Sequence, residues 1–161
     1  MTLNNHETLT QMLTESIRDF VQNILEVSEL DVFAESITLH SEIKGSSLTI
    51  SSPSALFRVS VVSDELKIQK LARKLLGKSS DEKMTNGECY DAIGEVCNII
   101  AGGLKRQLNE EFGGMQLGLP ARISGDAISS DGGAEIHMNC RFEDFSFYVI
   151  CSVKTQSKET L

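Results

Sequence analysis

Much of what would name a chemistry at once is missing from this chain. There is no Gly-x-x-x-x-Gly-Lys-Ser/Thr loop and no Gly-x-Gly-x-x-Gly after a strand, which argues against a bound nucleotide. Gly-x-Ser-x-Gly is also absent, and the obvious serine hydrolase goes with it. His6, His40 and His137 stand singly, without the spacing of a metal site, so no metal is expected. The cysteines, Cys89, Cys97, Cys140 and Cys151, form no Cys-x-x-Cys pair and read as reduced thiols used as small hydrophobes. No apolar run approaches the roughly 20 residues that cross a bilayer. The opening, MTLNNHETLTQ, lacks the basic and apolar regions of a secretory signal. Positive charge is scarce as well: 15 Lys and Arg stand against 23 Asp and Glu, a net charge of −8. Nucleic acid and anionic membranes require clustered cations, so neither is expected as a partner. These absences leave a cytoplasmic protein with no cofactor of its own.

What is present is an ordinary globular composition, 40% hydrophobic and 24% charged, over 161 residues. That is most simply one domain, 1–161, long enough to bury a core. Thr8 to Val27 reads as an amphipathic helix, with Leu9, Met12, Leu13, Ile17, Phe20, Val21, Ile24 and Leu25 in helical period. Ser36–Ile43 and Leu48–Ser51 read as a hairpin about Lys44-Gly45-Ser46, and Phe57–Val62 as a third strand. Ser63 is placed to cap a helix that closes at Gly77. After a longer helix, Met115–Ser124 holds a strand broken at Pro120, which favours an edge or bulge position. Ser129–Gly133 is a turn between two alternating strands, Glu135–Arg141 and Phe145–Val153, and the tail from about 154 to 161 is polar. Strands joined by short turns, with helices between groups of them, give α+β: an antiparallel sheet covered by helices.

The longer helix, Thr85 to Phe112, organises the rest. Thr85 and Glu88 have the form of a capping box, and Gly113-Gly114 is a stop signal. Ile93, Val96, Cys97, Ile100, Leu104 and Leu108 fall on one stripe, which must face the core. On the opposite side stand Asp91, Glu95, Asn98 and Gly102, and burial explains none of them. Glu95 and Asn98, three apart, rise from the same face as neighbours. Gly102 is bare backbone that lets another molecule approach closely. Glycine in a helix interior costs roughly 1 kcal/mol against alanine, yet this helix carries Gly87, Gly94, Gly102 and Gly103. Something other than helix propensity placed them there.

Taken alone, Glu-x-x-Asn is a common accident, and Glu95 and Asn98 could be solvated surface residues. Its surroundings are less common. DAIGEVCNIIAGGLK, followed by LPARISGD from Leu119 to Asp126, resembles the CheC/CheX/FliY family of chemotaxis phosphatases. Members share the lead-in, the Glu-x-x-Asn pair, a small-residue segment and a later Leu-Pro turn. More loosely, the resemblance runs from about residue 36 to 153. A single Glu-x-x-Asn makes the chain look more like CheX than like CheC members, which typically carry two. The chain departs from many relatives in continuing Gly102-Gly103 where they have Gly-Asn.

The resemblance implies an α+β fold and a homodimer. It also implies a substrate: the phospho-aspartyl group of a CheY-like receiver, which supplies its own Mg²⁺ and a lysine beside the phosphate. Asn98 then matches the amide that orients the attacking water, and Glu95 the acid that pairs with the receiver lysine. Asp91 and Gly102 would serve docking. Two further readings stay open, a non-catalytic receiver-binding module and a scaffold of the flagellar-switch type.

Overall fold

Alternation in the strands sets the architecture. A computed structural model describes residues 6–128 and 134–155. In chain order the elements are α1 (His6–Asp19, running on as a wide π turn, Phe20–Ile24), β1 (Asp31–Ala34), β2 (Ile43–Ser51) and β3 (Ala55–Asp64). Then come α2 (Glu65–Leu76), α3 (Asn86–Phe112), β4 (Gln116–Leu117), β5 (Ala121–Ser124), β6 (Ala134–Phe142) and β7 (Phe145–Thr155). The strands make one antiparallel sheet in the order β1-β6-β7-β3-β2, with β4 and β5 both on the outer edge of β2. The class is α+β, as expected. Among the described residues no helix is long and apolar enough to cross a membrane.

One face of the sheet is apolar and carries all three helices. Along β7, Phe145, Phe147, Val149, Cys151 and Val153 point into the core, and Ile136, Met138, Cys140 and Phe142 do so along β6. Both sets are the ones alternation predicts. Leu48, Ile50, Phe57, Val59 and Val61 continue that surface across β2 and β3, and Ile93, Val96, Cys97, Ile100, Leu104 and Leu108 of α3 close it. Burying a side chain of this size contributes roughly 1.5–3 kcal/mol, so this one contact layer dominates the stability. The opposite face has a smaller cluster, Ile43, Val62 and Ile150, packed by Ile37, Leu39, Ile123 and Tyr148.

The hairpin expected about Lys44-Gly45-Ser46 is not formed. Those residues lie inside the continuous strand β2, and the hairpin turns instead through Ser52-Pro53-Ser54 into β3. Gly45 is a close-approach glycine: a Cβ there would fall inside van der Waals contact with the Val61 carbonyl. Ser36–Glu42 alternates in burial like a strand but pairs with none. It runs across the far face as a strap, its Ile37 amide donating to His137 Nδ1 at 3.1 Å. The edge strand β1 has no signal of its own in the sequence and is an addition to the expected set.

Helix ends follow the local rules, with one exchange. Thr85 caps α3 with the full capping box, and Gly113 ends it at φ +63°. Gly77 ends α2 in the left-handed conformation. The cap of α2 is Asp64 and not Ser63: Asp64 accepts from the Lys67 amide at 3.0 Å, while Ser63 is turned to donate to the Ser146 carbonyl. In α1 the π turn shifts the register. Leu25 N–H donates to the Phe20 carbonyl five residues back, so Leu25 is buried at 6% exposure and Ile24, expected on the core stripe, is 50% exposed. The helix therefore spans 6–24 instead of about 8–27. β7 continues to Thr155, two residues into the expected polar tail. The Ser129–Gly133 turn and residues 156–161 lie outside the described residues.

Gly45→Ala tests the close approach. Overpacking should destabilise the chain by about 2 kcal/mol or more, read as a lower urea midpoint with the far-ultraviolet spectrum retained. An unchanged midpoint would mean that the strands separate freely at this crossing.

Candidate functional site

α3 has 27 residues, so it is about 40 Å long. Its inward stripe is wholly buried, Ile93, Val96, Cys97, Ile100, Leu104 and Leu108 each at 0% exposure. A helix so held cannot rotate, and its outward side is determined with the same precision. Steps of about 100° per residue put Asp91, Glu95, Asn98 and Gly102 within one narrow band on that side. Asp91 and Glu95 are exposed, and Asn98 and Gly102 half-buried. All four residues named from the sequence are thus brought together.

Neighbouring turns leave this band accessible. None of the salt bridges among the described residues uses Asp91 or Glu95. A Cβ at Gly102 would meet nothing within 4 Å, whereas one at Gly103 would press on Ser16 at 3.1 Å. Gly103 is therefore a packing glycine between α3 and α1, and Gly102 an outward gap. Gly94 has a third role: Pro120, in the Leu-Pro turn between β4 and β5, rests against it, and an added Cβ would stand 3.4 Å from Pro120 Cβ. The broken edge strand expected at Pro120 is seen as β4 and β5, both paired to β2.

Other chemistries fit the structure poorly. Cys97 is fully buried and its thiol donates to the Val59 carbonyl at 3.4 Å. Burial pushes that thiol up to about 12, far from the thiolate a nucleophile needs. Among the described residues no three His, Cys, Asp or Glu side chains gather where an ion could sit. A depression between Arg73, Glu82 and Glu88 lies at the N-terminal end of α3 and includes none of the band. One contact escaped sequence reasoning. The Arg122 guanidinium lies over the Tyr90 ring, 3.6 Å from its centroid, and no local pattern joins residues so far apart in the chain.

The outward side of α3 thus bears a carboxylate and an amide, and neither lines the depressions at Arg73 and Glu88, at Ser41 and Leu66 or at His6 and His137. The family model for chemotaxis phosphatase CheX matches residues 37–142. The chain belongs to the CheX family, within the CheC/CheX/FliY group of chemotaxis proteins. No curated protein matches it. Among solved structures, CheX from Vibrio vulnificus is similar at 19% identity and TM-score 0.72, over 91% of this chain and 96% of that one. A CheX–CheY–BeF3–Mg²⁺ complex from Borrelia burgdorferi is similar at 18% identity and TM-score 0.67, over 89% and 96%. Thermotoga maritima FliY follows at 14% identity and TM-score 0.62, over 94% and 92%.

Proposed function

We propose that this chain hydrolyses the phospho-aspartyl group of a CheY-like receiver, with Asn98 orienting the attacking water and Glu95 docking to the receiver's lysine. The observation that carries the reading is the free Glu95–Asn98 pair on the outward side of an immobilised helix, in a chain of the CheX family. The complex of CheX with CheY, BeF3 and Mg²⁺ from Borrelia burgdorferi supports a receiver as partner. It also supports Mg²⁺ in the working assembly, and this reading assigns the ion to the receiver. When bound there, the ion offsets charge on the phosphoryl oxygens.

In the reaction, water oxygen attacks phosphorus opposite the aspartyl oxygen. The bond from phosphorus to that oxygen breaks, inorganic phosphate leaves and the carboxylate is restored. The protein's task is to place the water, since phosphoryl transfer is governed by position and charge more than by new covalent chemistry. An amide is suited to it: it donates and accepts hydrogen bonds and stays neutral at every pH. A carboxylate in its place would repel the phosphoryl oxygens. Glu95, one turn before Asn98, fixes register through a charge pair. Gly102, one turn beyond, clears room for the receiver, and Asp91 extends the acidic contact.

The central test is loss of phosphate from a phosphorylated receiver. Asn98→Ala should abolish acceleration, at least a hundredfold in rate, while leaving the melting temperature unchanged, because the side chain supports no core contact. Glu95→Ala should weaken docking and turnover together, by an amount in the range of a few kcal/mol seen for interfacial charge pairs. Equal rates for wild type and Asn98→Ala would remove the catalytic assignment. Binding without acceleration would instead make the chain a receiver-binding module, and association with flagellar-switch components alone a scaffold.

Gly102→Ala separates stability from function. The new Cβ meets nothing within 4 Å, so helix propensity should raise stability by up to about 1 kcal/mol. Dephosphorylation should nevertheless fall, because the methyl group stands where the receiver approaches. A variant both more stable and fully active would show that Gly102 has no part in docking.

The reading includes a homodimer in the cytoplasm, where its receiver resides. Among the described residues β1 pairs on one side only, with β6, and an open strand edge favours association. The solution mass should therefore be twice 17.7 kDa; a monomer at micromolar concentration would contradict it.

A further inference from the structure

The turn between β4 and β5 lies along the flank of α3 that borders the Glu95–Asn98 band. Tyr90, Gly94 and Asn98 follow one another at intervals of four, a single line up the helix. Arg122 covers the first of them, its guanidinium carbon 3.6 Å from the Tyr90 ring centroid. Pro120 covers the second, against the bare Cα of Gly94. Four helical residues advance about 6 Å and two extended residues about 6.6 Å. The turn thus keeps step with the helix in the opposite direction, and Arg122 stands at the N-terminal end of the band, beside the turn that carries Asp91.

Arg122 is exposed to solvent while its guanidinium rests on a buried ring. Tyr90 beneath it is only 9% exposed, and that burial makes the ring a fixed platform. Arg122 itself is exposed and belongs to none of the salt bridges among the described residues. Stacking on an aromatic face restrains the guanidinium plane while its edge, which carries the donors, stays available. Distance decides what it can do there. Asn98 lies eight residues beyond Tyr90, about 12 Å along the axis, so a group held over Tyr90 cannot touch a phosphoryl group at Asn98. That excludes charge stabilisation of the transferring phosphoryl group and leaves docking.

We propose that Arg122, held over Tyr90, pairs with a carboxylate on the receiver surface flanking the phospho-aspartate and, with Glu95, sets the receiver's orientation on α3. The inference rests on the phosphatase reading above. Glu95 takes a cation and Arg122 an anion, so the two contacts have opposite polarity and are separated along the helix. Turning the receiver end for end would set arginine against lysine and glutamate against carboxylate. Two contacts of opposite sign therefore discriminate orientation, which neither does alone.

The test compares wild type with Arg122→Gln and Arg122→Lys on a CheY-class receiver phosphorylated with acetyl phosphate, measuring kcat, KM, their dependence on ionic strength, and melting temperature. Arg122→Gln should raise KM about tenfold, hold turnover at saturating receiver within about twofold, and flatten the salt dependence of KM. Arg122→Lys should recover part of the loss, because the charge remains while the stacked plane is gone. An active wild type with KM and salt dependence unchanged in Arg122→Gln overturns this inference and leaves the phosphatase reading standing. A lower melting temperature with unchanged KM reduces Arg122 to a packing residue and overturns it equally. A wild type that neither binds nor dephosphorylates the receiver removes both.

Discussion

The seating of α3 on the sheet is the constraint on which everything else depends. Ile93, Val96, Cys97, Ile100, Leu104 and Leu108 meet Leu48, Ile50, Phe57, Val59 and Val61 in one dry layer. The Cys97 thiol on the Val59 carbonyl adds a directional contact inside it. Helical geometry converts that burial into display: residues opposite a fully buried stripe have no freedom to turn inward. The core thus fixes the candidate face as a consequence of its own packing. Placing a water against phosphorus demands a side chain held to within a fraction of an ångström, and a helix backed by close-packed strands supplies that rigidity better than a loop would.

Glycine use in α3 separates what packing requires from what the proposed docking would require. Helix propensity alone would replace every one of these residues with alanine. Gly103 is explained by the Ser16 side chain, 3.1 Å from an added Cβ, whereas at Gly94 an added Cβ would meet Pro120 at ordinary contact distance, 3.4 Å. A Cβ at Gly102 would meet nothing within 4 Å and one at Gly87 only the Thr85 hydroxyl at 3.8 Å, so packing accounts for neither. A departure from local preference without a packing reason is a sign of a surface reserved for a partner. The capping box at Thr85 and Glu88 and the Gly113 stop offset part of the cost at the two ends of the helix.

Features encoded by adjacent residues are legible in the amino-acid order alone. The caps and core stripe of α3, the inward faces of β6 and β7, and the band Asp91–Gly102 all follow from spacing within one element. Features that depend on a partner far along the chain are not legible in this way. Gly45 resembles a turn residue until the Val61 carbonyl is brought across it, and only then does it become a strand residue. Ile37 and Leu39 alternate like a strand, but their segment found a face to cover and no edge to pair with. The π turn in α1 moves Ile24 outward through a backbone hydrogen bond that no side-chain pattern announces. Arg122 over Tyr90 is of the same kind: each residue is ordinary alone, and the meaning lies in the contact.

An open helix face is also the form this proposed chemistry requires. A small substrate needs a pocket to exclude water and hold it, but a phosphorylated receiver brings its own walls, its lysine and its metal ion. The complementary surface then has to supply only what the receiver lacks, one neutral amide in line with phosphorus and enough charge to seat it. A deep cleft would collide with the receiver before Asn98 could reach the phosphoryl group. The placement of exposed Glu95 and half-buried Asn98 on the outward side of α3 is therefore part of the case for this reading. A reaction between two folded surfaces calls for a projecting side chain on a rigid support, and α3 is built that way.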